Sequence, residues 1–183
     1  MTAIPEKIDR VAIIGYAGSG KSTLASALGA KMGAEVLHID TIQWLPGWQE
    51  QTHEKKHEAM TRFLDENTRW VIDGTYHKLL GERRMAEADL IIFLNFNRFS
   101  CLIRAIKKKR QYKGKARPSM TNGCEERING EFFWWLIYKG RTRKRAKKYK
   151  ELIKGHEGKT VTVKNQRGLD RLAELLGIQG YGR

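Results

Sequence analysis

The first residues with an evident chemistry are Gly15-Tyr16-Ala17-Gly18-Ser19-Gly20-Lys21-Ser22, followed by Thr23. They fit G-x-x-x-x-G-K-[ST] at every position, the pattern of a phosphate-binding loop, or P-loop. Its glycines let the backbone turn tightly and bring its N–H groups close to an anion. Lys21 would supply a fixed charge to the β- and γ-phosphates of ATP, and the Ser22 hydroxyl would reach Mg²⁺. The expected nucleotide contacts are therefore Gly15, Ala17, Gly18, Ser19, Gly20, Lys21, Ser22 and Thr23. A plain glycine-rich turn is the competing reading. The setting argues against it: an apolar run, Val11 to Ile14, precedes the loop, and a helical pattern, Ser22 to Met32, follows.

Carboxylates are the second requirement, because a P-loop needs one to help hold its metal. "WVIDGTY" places Asp73 directly after three apolar residues, and Asp73 is the expected partner of Ser22 around Mg²⁺. A turn-forming Asp-Gly is the alternative. "LHIDTIQWLPGW" places Asp40 at the expected end of a strand, where it could orient or deprotonate an acceptor hydroxyl; a cap or loop hydrogen bond competes. His38 would point the same way as Asp40 if the strand continued, and reads more simply as a packed histidine. Trp44 and Trp48 flank Pro46-Gly47; they either wall an acceptor pocket or pin the loop to the core.

The elements that must position these groups alternate. Strands are predicted at 11–14, 35–39, 70–72, 90–94 and 160–163. Helices are predicted from 22 to about 33, over 54–66 and over 169–176, with a long basic helix-prone region after the fourth strand. The stretch 40–51 reads as a loop. This alternation implies an α/β fold, a doubly wound parallel five-stranded sheet in three layers. Its ligands belong at the carboxyl ends of the strands, where the P-loop, Asp40, Asp73 and the stretch Asn95 to Arg98 fall.

Length and composition bound the rest. The 183 residues suit one domain, 1–183, and 40% hydrophobic content suffices for a core. No run approaches the roughly 18 apolar residues that span a membrane, and the N-terminus lacks an apolar secretion segment. Cys101 and Cys124 form neither a disulfide framework nor a zinc cage. A cytoplasmic enzyme is the expected placement. The net charge of +15 is concentrated: residues 98–150 hold 18 Lys and Arg against 3 Asp and Glu.

"HID" followed by "WLPGW", "VIDGTY", "ADLIIFLNFNR", "KARPSM" and "GCEERINGEFFWW", together with the P-loop, resemble the DNA topology modulation protein family, small P-loop kinases similar to adenylate and shikimate kinases. The likeness runs from about Val11 to Lys164. It implies a nucleoside-triphosphate-binding core with a helical, basic lid, here at about 104–150. By the same resemblance Arg104 would stack on the adenine ring, and one or two of Arg141, Arg143 and Arg145, in the second lid helix, would reach the phosphates. Arg83 would bind the acceptor; Arg98, Arg110 and Arg117 are weaker candidates. Relatives often carry Asp-x-Pro-Arg after the fourth strand, whereas Asn95-Phe96-Asn97-Arg98 stands here.

The expected function is transfer of the ATP γ-phosphoryl, with Mg²⁺, to a small-molecule or nucleotide acceptor that the sequence does not name. The catalytic set is Lys21, Asp40, Asp73, Arg141 and Arg145. Asp40, Trp44 and Arg83 would hold the acceptor. The alternative is a nucleic-acid-associated ATPase, or a regulatory nucleotide-binding protein linked to DNA topology, using the basic segment 98–150. In "EFFWWLIYKGRTRKR", Phe132, Phe133, Trp135 and Leu136 are expected to pack the helix on the core. Stacking on bases or contact with a membrane surface are the other readings.

Overall fold

The computed structural model describes residues 4–111, 119–121, 123–124 and 130–178. The described elements are β1 (Arg10–Gly15), α1 (Lys21–Met32), β2 (Glu35–His38), α2 (Ile39–Gln43), β3 (Trp44–Leu45), β4 (Gln49–Glu50), α3 (His53–Glu66), β5 (Trp70–Asp73), α4 (Gly81–Glu87), β6 (Leu90–Leu94), α5 (Arg98–Gln111), α6 (Gly130–Ile137), α7 (Arg143–Ile153), β7 (Thr160–Val163) and α8 (Gln166–Leu175). Short 3-10 turns occupy Pro46–Trp48, Lys139–Arg141 and Glu157–Lys159.

Five strands form one parallel sheet in the order β2-β5-β1-β6-β7. Helices flank it, giving the three-layer α/β architecture expected. The three central strands, β5, β1 and β6, carry largely unbroken apolar runs because both their faces are covered. Val11, Ala12, Ile13, Ile14, Trp70, Val71, Ile72, Leu90, Ile91 and Ile92 are all fully buried. The register aligns the strand ends that matter. Asp73 pairs with Ile13 on one side and with His38 on the other, and Gly15 pairs with Leu94.

Helix ends follow local chemistry. Gly33 closes α1 in the left-handed conformation. Thr142 and Asn165 cap α7 and α8 by accepting backbone N–H bonds. The Asn97 side chain accepts from Ser100 N at 2.9 Å, at the start of α5. Asn95, where relatives often have Asp, donates its backbone N–H to Val163 O at 2.8 Å, tying β6 to β7.

Two stretches differ from the sequence reading. Residues 40–51 are not a featureless loop. The chain turns into α2 immediately after His38, with the Thr41 hydroxyl donating to His38 O at 2.8 Å. It then doubles back through the antiparallel pair β3–β4 around Pro46-Gly47, where Gly47 has φ 77°. The second difference is α4, too short to give a clear helical period. It holds Arg84, which is fully buried and donates to the carbonyls of Leu79, Gly74 and Tyr76 at 3.0, 3.0 and 2.7 Å. Burial pulls this guanidinium down to about 10, so it is still charged at neutral pH.

Arg84 therefore staples the segment that follows Asp73. Arg84→Met should lower stability by about 3 kcal/mol or more, since three buried carbonyls lose their donor. Arg83→Met, at a half-exposed position, should cost about 1 kcal/mol or less. Urea denaturation of both variants checks this, and equal losses would contradict it.

Candidate functional site

The P-loop leaves β1 at Gly15, whose φ is 146°, and a Cβ there would lie 2.5 Å from Leu94 O. At Gly18, with φ 73°, a Cβ would lie 2.5 Å from Cys101 O. The loop is thus wedged against the end of β6 and against α5, with no room for side chains at those two points. Thr75 fixes the loop's entry, exchanging hydrogen bonds with Gly15 N and Gly15 O at 3.2 Å each. α1 begins without a side-chain cap, so the positive end of its dipole faces the loop. Lys21 Nζ donates to Tyr16 O at 3.1 Å. The Ser19 hydroxyl is buried and has no hydrogen-bond partner among the described residues.

Asp73 sits at the end of β5 and is 5% exposed. Its Oδ2 lies 3.1 Å from His38 Nδ1, and His38 Nε2 lies 3.3 Å from the Ser26 hydroxyl. Facing a carboxylate, Nδ1 carries the proton and donates. His38 is thus the orienting partner of Asp73, beyond the plain packing role expected. Burial pushes the Asp73 carboxyl up. The His38 bond, the Lys21 charge and the Ser22 hydroxyl outweigh it and hold the group below the usual carboxylate range. Asp73 Oδ1 is buried with no hydrogen-bond partner among the described residues. A buried, ionised oxygen left unpaired beside Lys21 and Ser22 fits the water shell of a hard cation, for which Mg²⁺ needs only one or two carboxylates besides phosphates.

Asp40 is not at a strand end as expected. It lies in α2, and Tyr76 donates its hydroxyl to Asp40 Oδ1 at 2.7 Å. Because the chain turns helical after His38, the two side chains do not share a strand face. Burial, then the Asp40 charge, raise the Tyr76 hydroxyl far above its ordinary range, so it stays a donor. Trp44 and Trp48 meet edge to face at 5.7 Å. The Thr121 hydroxyl donates to Trp44 O at 2.6 Å and Thr41 O at 3.1 Å, Cys124 Sγ donates to Leu45 O at 3.2 Å, and Gly47 N donates to Gly123 O at 3.2 Å. The 44–50 hairpin is therefore pinned to Thr121, Gly123 and Cys124.

Among the predicted arginines, Arg141 and Arg104 both reach the P-loop. The Arg141 guanidinium lies 3.7 Å over the Tyr16 ring and donates to Phe96 O at 2.6 Å and to Cys101 Sγ at 2.9 Å. Arg141 lies in the 3-10 turn before α7 and not within the helix. Arg104 lies 4.2 Å over the Phe96 ring, donates to Ser19 O at 2.9 Å and contacts Gln166. Arg145 is exposed and lies 5.3 Å over the Trp135 ring; Arg143 is exposed. Arg83 is not brought to this cluster. It pairs with Asp65 on α3 and Glu87 on α4, both at 2.6 Å, because its neighbour Arg84 takes the inward position. Arg98 and Arg110 are exposed on α5. Arg117 lies outside the described residues, as does part of the 104–150 segment.

Several site residues went unpredicted. Tyr149 of α7 is stacked on Phe93 at 5.0 Å and packs against Tyr16 at 4.8 Å, and with Arg141 it ties the α7 region to the P-loop. Thr75 and Tyr76 stand in the quoted "VIDGTY", so proximity to Asp73 was a usable signal. On α6, Leu136 and Ile137 are buried, and Phe132 and Trp135 partly so. Phe133, expected to pack on the core, is 43% exposed instead, although it lies one turn before the buried Leu136 and Ile137 on the same side of α6.

The ionised Asp73 stabilises the fold through His38 and the loop cations. Its folded value lies below 3.8, so this contribution is present above that pH and is lost as pH falls through the lowered value. The stability gap between the wild type and Asp73→Asn should therefore shrink as pH falls below about 4, measured by urea denaturation. A gap that stays constant over that range would contradict it.

No family model matches this chain, and no curated protein matches it. Solved structures do. The chain is similar to shikimate kinase from Acinetobacter baumannii in complex with shikimate, at 16% identity over 96% of this chain and 97% of that one, with a TM-score of 0.45. It is similar to deoxyadenosine kinase from M. mycoides with bound dATP, at 16% identity over 92% and 99%, with a TM-score of 0.47. A gluconokinase from Sinorhizobium meliloti matches at 16% identity over 94% and 97%, with a TM-score of 0.43. At these values the likeness is one of general fold.

Proposed function

We propose that this chain is a phosphotransferase that moves the γ-phosphoryl group of ATP to a small hydroxyl- or phosphate-bearing acceptor. The observation that carries this reading is Asp73: buried, ionised, held by His38 on one oxygen, and unpartnered on the other. An ionised oxygen left without a hydrogen-bond donor beside a P-loop is a group that a metal–nucleotide complex would complete.

In this reading Gly15 to Thr23 cradle the phosphates with backbone N–H groups, and Lys21 leaves the Tyr16 carbonyl for the β- and γ-phosphates. Ser22 and Asp73 would hold Mg²⁺, which when bound neutralises phosphate charge. Arg141, already over Tyr16, stabilises charge growing on the transferred group. Arg145 would need to swing inward from its exposed position to assist. Arg104 holds the Ser19 carbonyl and offers a planar face to the base. Asp40, oriented by Tyr76, accepts the proton as the acceptor oxygen bonds to the γ-phosphorus. The bond to the oxygen bridging the β- and γ-phosphates breaks, and ADP leaves. Trp44 would border the acceptor. Arg83 is left out of the site because two carboxylates already hold it.

The charge in 98–150 favours a second reading, a nucleic-acid-associated or regulatory nucleotide-binding protein. A salt-dependent DNA titration beside an acceptor screen separates the two.

Lys21→Ala should abolish ADP release with any acceptor that supports it in the wild type. Turnover at the parent rate would refute the phosphotransferase reading. Asp40→Asn should impair acceptor use while nucleotide affinity, read by calorimetry, is unchanged; intact acceptor kinetics would return Asp40 to a structural role.

Arg141→Ala should lower kcat about 10²-fold, which corresponds to ~3 kcal/mol. Exchanging the exposed Lys107, Lys144 and Lys147 for Gln should change kcat less than about twofold, because surface charge steers encounter more than it stabilises a transition state. The reverse ranking would contradict the assignment.

A further inference from the structure

α5 has two unlike faces. Cys101 and Ala105 are buried toward the core, and Cys101 O closes on Gly18 of the P-loop. On the other side Phe99, Ile103 and Ile106 are 66, 56 and 39% exposed. Their spacing of four and three residues puts them in one line along the helix. Exposed cations flank that line: Arg98, Lys107, Lys109 and Arg110.

The neighbouring α6 continues the surface. Trp134 is 51% exposed, and its ring lies 4.3 Å from that of Tyr138, which is also 51% exposed. Arg98 lies 6.0 Å over the Tyr138 ring, which joins the start of α5 to the end of α6. Large apolar side chains left outside in such a group mark a contact surface.

Charge selects the occupant. A second copy of the same face would bring two cationic segments together, each with 18 Lys and Arg against 3 Asp and Glu over residues 98–150. The occupant must be anionic and must also accept apolar side chains. A nucleic acid would pair its phosphates with the cations, but aligned isoleucines cannot stack on bases, and Trp134 already has Tyr138 against its ring. A bilayer surface satisfies both demands: headgroups meet the flanking cations, and the acyl boundary takes the apolar line. Among the described residues no helix is long and apolar enough to cross a membrane, so the contact would be peripheral.

We propose that the exposed face of α5 and α6 docks this protein on anionic phospholipid surfaces, with the P-loop side of α5 turned away from the lipid. The inference is independent of the nucleotide chemistry.

Co-sedimentation of the full chain with vesicles tests it, using phosphatidylcholine alone and phosphatidylcholine mixed with phosphatidylglycerol. The wild type should bind only the mixed vesicles. Phe99→Ser with Ile103→Ser should weaken binding about tenfold or more. Lys107→Gln with Lys109→Gln should weaken it about fivefold per lysine at low salt, and less at high salt. All four side chains are exposed, so both variants should keep the wild-type circular dichroism spectrum. Failure of the wild type to bind mixed vesicles would overturn the proposal, as would full binding by the Phe99/Ile103 variant. So would capture of a single-stranded oligonucleotide without vesicle binding, or dimerisation through this face without it.

Discussion

An ionised carboxylate with almost no access to water is the constraint around which this structure is arranged. Asp73 ends the buried strand β5, where desolvation alone would neutralise it. His38 stands beside it in register on β2, and Lys21 and Ser22 face it from the start of α1. These partners come from two other elements, β2 and α1, so the parallel sheet and the β1–α1 turn must both be correct for the charge to persist. Arg84 supports the same point from the other direction. By gathering the carbonyls of Gly74, Tyr76 and Leu79, it fixes the path on which Thr75 meets Gly15 and Tyr76 meets Asp40.

A second layer of contacts joins the α7 region to the loop. Arg141 and Tyr149 both pack on Tyr16, and Arg141 also grips the Phe96 carbonyl and the Cys101 sulfur. Burial raises the Cys101 thiol against the pull of Arg141, so it serves as a neutral contact. A guanidinium over an aromatic ring and on a carbonyl is held by directional but modest interactions. Such a residue can be placed before a ligand arrives and still turn toward an added phosphate. This is the physical content of the lid reading, which remains a proposal for segment 104–150.

The central strands were legible because burial on both faces writes itself as short apolar runs, and the edge strand β7 because Thr and Val are β-branched. The 90–94 and 160–163 boundaries agree with β6 and β7, and the P-loop was legible because its spacing has few other uses. What the sequence concealed is tertiary in origin. Nothing in "GERRMAE" says which arginine turns inward; Arg84 does so through carbonyls that only the folded turn supplies, leaving Arg83 to Asp65 and Glu87. The helical turn α2 defeated the strand-end reading of Asp40, because five residues are too few to show a period. His38 was visible as a histidine near Asp40, but its partner is thirty-five positions away across a strand pair. Phe133 shares the side of α6 that buries Leu136 and Ile137, so its helical position points inward, and its 43% exposure is set by how far the core reaches along the helix rather than by its face.

The central claim is that the unpartnered oxygen of Asp73 belongs to the shell of a nucleotide-bound divalent cation. Mn²⁺ provides a paramagnetic substitute whose free and bound forms are separated by electron paramagnetic resonance. With a non-hydrolysable ATP analogue present, the account predicts tight Mn²⁺ binding that depends on the analogue and falls about tenfold or more in Asp73→Asn, on the order of 1.4 kcal/mol. Mn²⁺ affinity that is the same in both proteins, or that ignores the nucleotide, would contradict it.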